Sequence, residues 1–154
     1  MISECTERDI GFMRQAIEEG LKCSNVETAY NVGAVITTKD GEVLATGYSR
    51  KYPGNTHAEQ CALMDLERSP AYAQAKDLVI YTTMEPCSKR LSGNIPCSQR
   101  IMEAGIDTVF VGVKEPTNFV NCTGIEDLVS KGIKVVHIKE LETECKDLSS
   151  HLFK

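Results

Sequence analysis

Apolar positions at Ile10, Met13, Ile17 and Leu21 recur three or four residues apart behind Thr6 and Asp9, a pair spaced to cap a helix start. This spacing predicts an amphipathic helix over residues 6–22. Two β-rich runs follow, VGAVITT (32–38) and EVLATGYS (42–49), around Lys39-Asp40-Gly41, where Asp-Gly favours the positive φ angles of a tight hairpin. Pro53, Gly54 and Asn55 then break the chain before THAEQCALMDLE, whose Cys61, Ala62, Met64 and Leu66 line the buried face of a helix starting near Thr56.

DLVIYTTM (77–84) is continuously apolar and β-rich, as a central strand covered on both faces would be, and Glu85-Pro86-Cys87 ends it. Beyond the following loop, SQRIMEA closed by Gly105 reads as a helix and TVFVGV (108–113) as a strand. IEDLVSK with Gly132 reads as a short helix and KVVHI as the last strand. Leu141, Cys145 and Leu148 fall at helical spacing in a closing segment. Strands alternating with helices predict an α/β sandwich.

At 154 residues and 42% hydrophobic, the chain suits one domain, taken as residues 1–154. No apolar run approaches the ~18 residues of a membrane span, and MISECTERDIGF lacks a secretory layout, so a soluble, cytoplasmic protein is expected. Seven cysteines, an odd number, read as reduced thiols, some available to a metal. A net charge of −5 disfavours a nucleic-acid surface and favours a small-molecule partner.

The chemistry concentrates in His57-Ala58-Glu59, Pro86-Cys87 and Pro96-Cys97, which bring one imidazole and two thiolates from two helix-start regions. Three protein ligands leave the fourth position of a tetrahedral Zn2+ to water, whose pKa the metal lowers to ~7. Glu59, two residues past the histidine, is placed to move protons as general acid/base without joining the metal. A lone His-x-Glu at a helix start is weak; its combination with two Pro-Cys pairs in this order is what points to zinc deamination. Cys61 reads as core packing, Cys5, Cys23, Cys122 and Cys145 likewise, and His137 and His151 as structural or exposed, without carboxylate partners at ligand spacing.

TMEPCSKRLSGNIPC, with a nine-residue loop between the cysteines, resembles the riboflavin-pathway pyrimidine deaminases, most of all the fungal type. VGAVI, THAEQCAL, YTTMEPC and GVKEPTNFVNCTGIEDLVSKGIKV extend the resemblance over nearly the whole chain. Bacterial relatives of that kind carry a fused reductase, and none is expected here. They also carry Asn-Pro-x-Val-Gly before the first strand, where this chain reads Tyr30-Asn31-Val32-Gly33, and a histidine after the Ser of the cysteine loop, where it reads Ser88-Lys89.

The resemblance implies a cytidine-deaminase-like fold, a three-layer α/β/α sandwich on a central sheet of about five strands. It also implies hydrolytic deamination of a diamino-ribitylamino-pyrimidinone 5′-phosphate, and a homodimer. Substrate contacts are expected from Asn31, Ala58, Glu85, Ser88, Lys89 and Arg90. Lys89 and Arg90 lead for the phosphate, ahead of Arg50 and Lys51 in a neighbouring loop. Asn31 suits a turn-stabilising role nearly as well, and Glu85 a role in organising backbone. Rival readings are a deaminase of another base, nucleoside or tRNA adenosine, a non-catalytic zinc module, and a structural zinc closed by Cys61 or Cys122.

Overall fold

A computed structural model describes residues 5–70, 72, 77–90, 94–115 and 122–152. Parts of two segments named above, residues 91–93 of the cysteine loop and 116–121 after the fourth strand, lie outside the described residues.

The chain opens with α1 (Glu7–Gly20), capped as the sequence predicts. Thr6 Oγ1 accepts from Asp9 N at 3.2 Å while Asp9 Oδ2 accepts from Thr6 N at 2.9 Å, which satisfies helix-start amides that have no partner inside the helix. The other carboxylate oxygen of Asp9 accepts from the Tyr81 hydroxyl at 2.6 Å, so the cap also anchors α1 to the sheet.

The hairpin of β1 (Gly33–Thr37) and β2 (Val43–Tyr48) follows. Only Gly41 takes a positive φ in its turn, at 96°, and Asp40 does not share it. Thr38 N donates to Glu42 O and Gly41 N to Thr38 O, which closes the turn on one left-handed residue where two were expected.

Next come α2 (Ala58–Glu67), β3 (Val79–Met84), α3 (Cys97–Glu103), β4 (Thr108–Val113), α4 (Gly124–Ser130) and β5 (Lys134–His137). A 3-10 turn, Lys139–Leu141, leads into α5 (Glu142–Asp147), which is shorter than the closing run suggests. Gly105 and Gly132 stop α3 and α4 at positive φ. On α2 the buried face runs through Leu63, and Met64 is only half-buried, because the helix starts at Ala58 and turns Leu63 inward.

The sheet order is β2-β1-β3-β4-β5. β1 is antiparallel to β2 and to β3, whereas β3, β4 and β5 are parallel. Alternation along each strand splits the core into two layers. Ala34, Ile36, Ile80, Val109, Val111 and Val135 pack under α2, α3 and α4. Val35, Tyr81, Phe110 and Val136 meet α1, the 3-10 turn and α5 on the other face, with the Tyr81 and Phe110 rings stacked at 4.6 Å. The three-layer α/β/α sandwich of five strands is the one expected. Among the described residues no helix is long and apolar enough to cross a membrane.

Gly47 of β2 lets α2 lie directly on the sheet. A Cβ there would stand 2.3 Å from Ala58 O and 2.6 Å from Ala62 N. Gly47→Ala must therefore push α2 outward, and its expected cost is about 1–3 kcal/mol. Gly11, exposed in α1, gives the opposite sign: a methyl added there meets nothing within 4 Å, and Gly11→Ala should gain about 0.5–1 kcal/mol. Urea unfolding midpoints of the two variants check both directions.

Candidate metal centre

β3 ends where Pro86 can no longer donate to the ladder, and the chain leaves the sheet at its parallel, carboxyl-end side. Glu85 fixes that exit. One of its oxygens accepts from Glu115 N at 3.1 Å and the other from Ile125 N at 3.0 Å, so its carboxylate ties the strand end to the loop after β4 and to the start of α4. Cys87 follows, buried. Pro96 caps α3 and sets Cys97 as its first residue, fully buried. Cys97 N donates to Cys87 Sγ at 3.2 Å and Ser98 N to Cys87 O at 3.0 Å, so the first amides of α3 are directed at the first cysteine.

His57 is the N-cap of α2, extended at φ −88° and ψ 158°. The loop from β2 delivers it through left-handed residues at Arg50 and Asn55, held by Arg50 N donating to Thr56 O and the Thr56 hydroxyl donating to Tyr52 O. Its Nδ1 then stands 3.4 Å from Cys97 Sγ and 3.6 Å from Cys87 Sγ, and the three ligand atoms lie within 4.8 Å of one another. Zinc bonds of about 2.3 Å to sulfur and 2.0–2.1 Å to nitrogen at a tetrahedral angle imply a sulfur–nitrogen separation of roughly 3.5 Å. The donor set fits that ion in both spacing and chemistry.

The charges in the centre are arranged for a cation. A hydrogen bond from Cys97, together with His57, pulls the Cys87 thiol down to about 4. Cys97 is pushed well up by the same hydrogen bond and by burial. A divalent ion held there would take both as thiolates. Among the described residues no fourth His, Cys, Asp or Glu joins the group. Cys61 is core, and Cys122 Sγ donates to Pro86 O at 3.4 Å, so neither closes the coordination sphere.

A cavity of about 140 Å³ opens on this centre. Glu59 lines it at 4% exposure; burial, then the Cys87 thiolate, pushes its carboxyl up to about 7. Ala58 forms wall beside it, Lys89 is exposed at the wall, and Arg90 is buried in it.

Other expected contacts are placed differently. Asn31 is not in the wall. Its amide nitrogen donates to Asn25 Oδ1 at 2.7 Å and Leu148 O at 3.0 Å, and its oxygen accepts from Arg50 Nη2 at 2.5 Å. Ser149 Oγ accepts from Asn31 N at 2.7 Å, and His151 Nε2 lies 2.9 Å from Val26 O. The turn after α5 therefore clamps the segment 25–31, which supplies Thr28, Ala29 and Tyr30 to the wall. Asn31 is a structural junction of that clamp, with both N–H donors of its amide engaged by protein.

Glu85 borders the cavity, but both its oxygens serve backbone amides. Ser88 Oγ accepts from Thr123 N at 2.9 Å and lies outside the wall. Lys51 is paired with Asp65 at 2.6 Å, and the Arg50 guanidinium donates to Tyr30 O and Ser24 O as well as to Asn31. His137, read as structural or exposed, pairs with Glu142 at 2.8 Å and has its Nε2 3.1 Å from Gly112 O, away from the cavity.

Glu115 is a wall residue that the ligand motifs do not mark. It stands in the cavity with its carboxyl pushed up to about 7 by burial. Its signal is in the sequence: Glu85-Pro86 and Glu115-Pro116 both follow apolar strands, and β3 and β4 pair in register up to Met84 and Val113, so the two glutamates leave the sheet side by side.

Comparison with known proteins agrees with this geometry. Residues 6–113 match the cytidine and deoxycytidylate deaminase zinc-binding region. The diaminohydroxyphosphoribosylamino-pyrimidine deaminase of Schizosaccharomyces pombe is 40% identical over 134 residues, covering 87% of this chain and 33% of that protein. The chain spans about a third of the length of the first curated relatives it matches. Aspergillus oryzae Rib2 deaminase, solved as a C-terminal deletion mutant in complex with DARIPP, superposes with a TM-score of 0.81 at 32% identity, covering 95% of this chain and 92% of that one. The Thermotoga maritima diaminohydroxyphosphoribosylaminopyrimidine deaminase/reductase also gives a TM-score of 0.81 at 32% identity, over 95% of this chain and 40% of that one. With a three-donor centre of zinc geometry, a buried glutamate beside it and a match over most of its length, the chain belongs to the family defined by the cytidine and deoxycytidylate deaminase zinc-binding region.

Proposed function

We propose that the protein hydrolytically deaminates 2,5-diamino-6-ribitylamino-4(3H)-pyrimidinone 5′-phosphate to the corresponding uracil derivative, a step of riboflavin biosynthesis. The observation that carries the reading is Glu59, buried in a cavity directly beside a three-donor centre that leaves one coordination position open. A module that only stored zinc would have no use for that carboxylate. Similarity to pyrimidine deaminases over most of the chain supports the substrate.

Zinc bound by His57, Cys87 and Cys97 supplies the Lewis acidity that makes water a nucleophile near neutral pH. Glu59 accepts the proton that water gives up as its oxygen bonds to the ring carbon, and hands it to the adjacent ring nitrogen. It then takes the second proton from the newly formed ring hydroxyl and delivers it to the departing amine, so that the C–N bond breaks and ammonia leaves as the ring carbonyl forms. Burial suits Glu59 to both halves, because a carboxyl poised near neutrality is neither too weak a base nor too weak an acid.

Around that chemistry, Ala58 offers backbone and a small side chain to the ring. Lys89 meets the phosphate at the rim, and Arg90, which lines the same cavity, is the second cation beside it. Glu115 accepts hydrogen bonds from the amino substituents on the ring edge away from the reacting carbon, groups that cytosine lacks. Residues 1–154 are read as one deaminase domain, supported by a single five-stranded sheet under both core layers. A reducing, cytoplasmic setting is supported by seven free cysteines; the homodimer rests on the family resemblance alone.

The decisive assay is ammonia release by zinc-loaded protein from the ribitylamino phosphate, with the ribosylamino counterpart, cytidine, guanine and a tRNA in parallel. Turnover of the ribityl compound alone is expected; turnover of another substrate overturns the substrate assignment and keeps the zinc chemistry. Glu59→Gln should retain zinc and fold while ammonia release falls by about 10²–10⁴-fold, and full activity in that variant would refute the proton-transfer role. Lys89→Ala should raise KM for the phosphorylated substrate with little change in kcat and leave the dephosphorylated compound unaffected. Glu115→Gln should lower kcat/KM for the diamino ring with its zinc content unchanged, which metal analysis beside the kinetics will show.

A further inference from the structure

Arg90 is the third residue after Cys87 and is only 8% exposed. A guanidinium so buried has to direct its N–H groups at acceptors, and among the described residues those acceptors belong to the segment that carries His57. Arg90 Nη2 donates to Asn55 O at 2.9 Å, two residues before the histidine. Arg90 Nη1 donates to Gln60 Oε1 at 3.0 Å, three residues after it. The same Gln60 oxygen accepts from His57 N at 3.3 Å, so the backbone of the metal ligand and the guanidinium share one acceptor.

We infer that Arg90 and Gln60 form a positioning clamp that fixes the backbone carrying His57 relative to the segment carrying Cys87, and thereby sets the affinity and symmetry of the metal centre before any ion arrives. The two ligand-bearing loops come from opposite sides of the chain's middle: His57 from the turn after β2, Cys87 from the exit of β3. Covalent connectivity does not set the distance between them. The Arg90 guanidinium does, by gripping residues 55 and 60 from a point three positions beyond Cys87.

A lysine at position 90 would place a single ammonium there and hold one flank of His57 at a time, whereas the planar fork of arginine holds both. Gln60 does not line the cavity, so its share in the clamp is separable from any contact with substrate. Outer partners hold metal ligands in place, and their loss typically lowers metal affinity by about 10–100-fold.

The test is carried out on the full chain without substrate, so it stands or falls independently of the substrate assignment. Zinc affinity is measured by competition with a chromophoric chelator, and the visible absorption of the cobalt-loaded protein reports the symmetry of the ligand field. Gln60→Leu should weaken zinc binding by about 10–100-fold and shift the cobalt bands. Gln60→Glu, which keeps an acceptor oxygen in place, should restore both. Arg90→Lys should reproduce the Gln60→Leu result, and it decides the matter if Gln60→Leu does not fold. Zinc affinity within about twofold of the parent and unchanged cobalt bands in Arg90→Lys or in folded Gln60→Leu would overturn the clamp and leave Arg90 as an anion contact only.

Discussion

β3 pairs antiparallel with β1 on one side and parallel with β4 on the other, and this mixed pairing decides where the functional loops gather. Against β1, the carboxyl end of β3 meets the start of the neighbouring strand, so the segment before β1 and the segment after β2 arrive at the same edge. Against β4, both strands exit together, which brings Glu85 and Glu115 out side by side. The imidazole, the two thiols, Glu59 and the cavity walls therefore meet at one end of the sheet although they span residues 28–115 in the chain. Helices complete the placement at short range, since α2 and α3 each present a ligand at their first or capping residue.

Much of this was legible beforehand because the relevant signals are local. The run 77–84 is apolar on both faces, and in the structure its strand is the fully buried middle one. Thr6 and Asp9 sit at capping distance and cap. The ligand triad was readable because Pro-Cys and His-x-Glu are chemically unusual combinations. What could not be read was the fate of polar side chains that end up inside. Asn31 and Glu85 could each be a contact residue or a frame residue in a string of letters, and these two with Arg90 join segments distant in sequence. Which segments they join depends on strand order, and hydrophobic periodicity says nothing about strand order.

The buried polar groups divide by whether protein groups already occupy them. Glu85 has an amide on each oxygen, and Asn31 has partners on its amide nitrogen, its side-chain oxygen and its backbone N–H, so both hold the frame. Glu59 keeps its carboxyl within the cavity, where burial disfavours its charged form. Frame and chemistry are thus made from the same residue types.

The tie between the turn after α5 and the segment 25–31 has a practical meaning. Leu148, Ser149 and His151 hold the wall of the cavity, so a part of the chain remote in sequence from the metal ligands shapes the room into which a ring must fit. A substitution at Ser149 or His151 would therefore act on that wall from a place that no ligand motif marks, whereas one in α1 acts on a helix that packs on the other face of the sheet from α2 and α3.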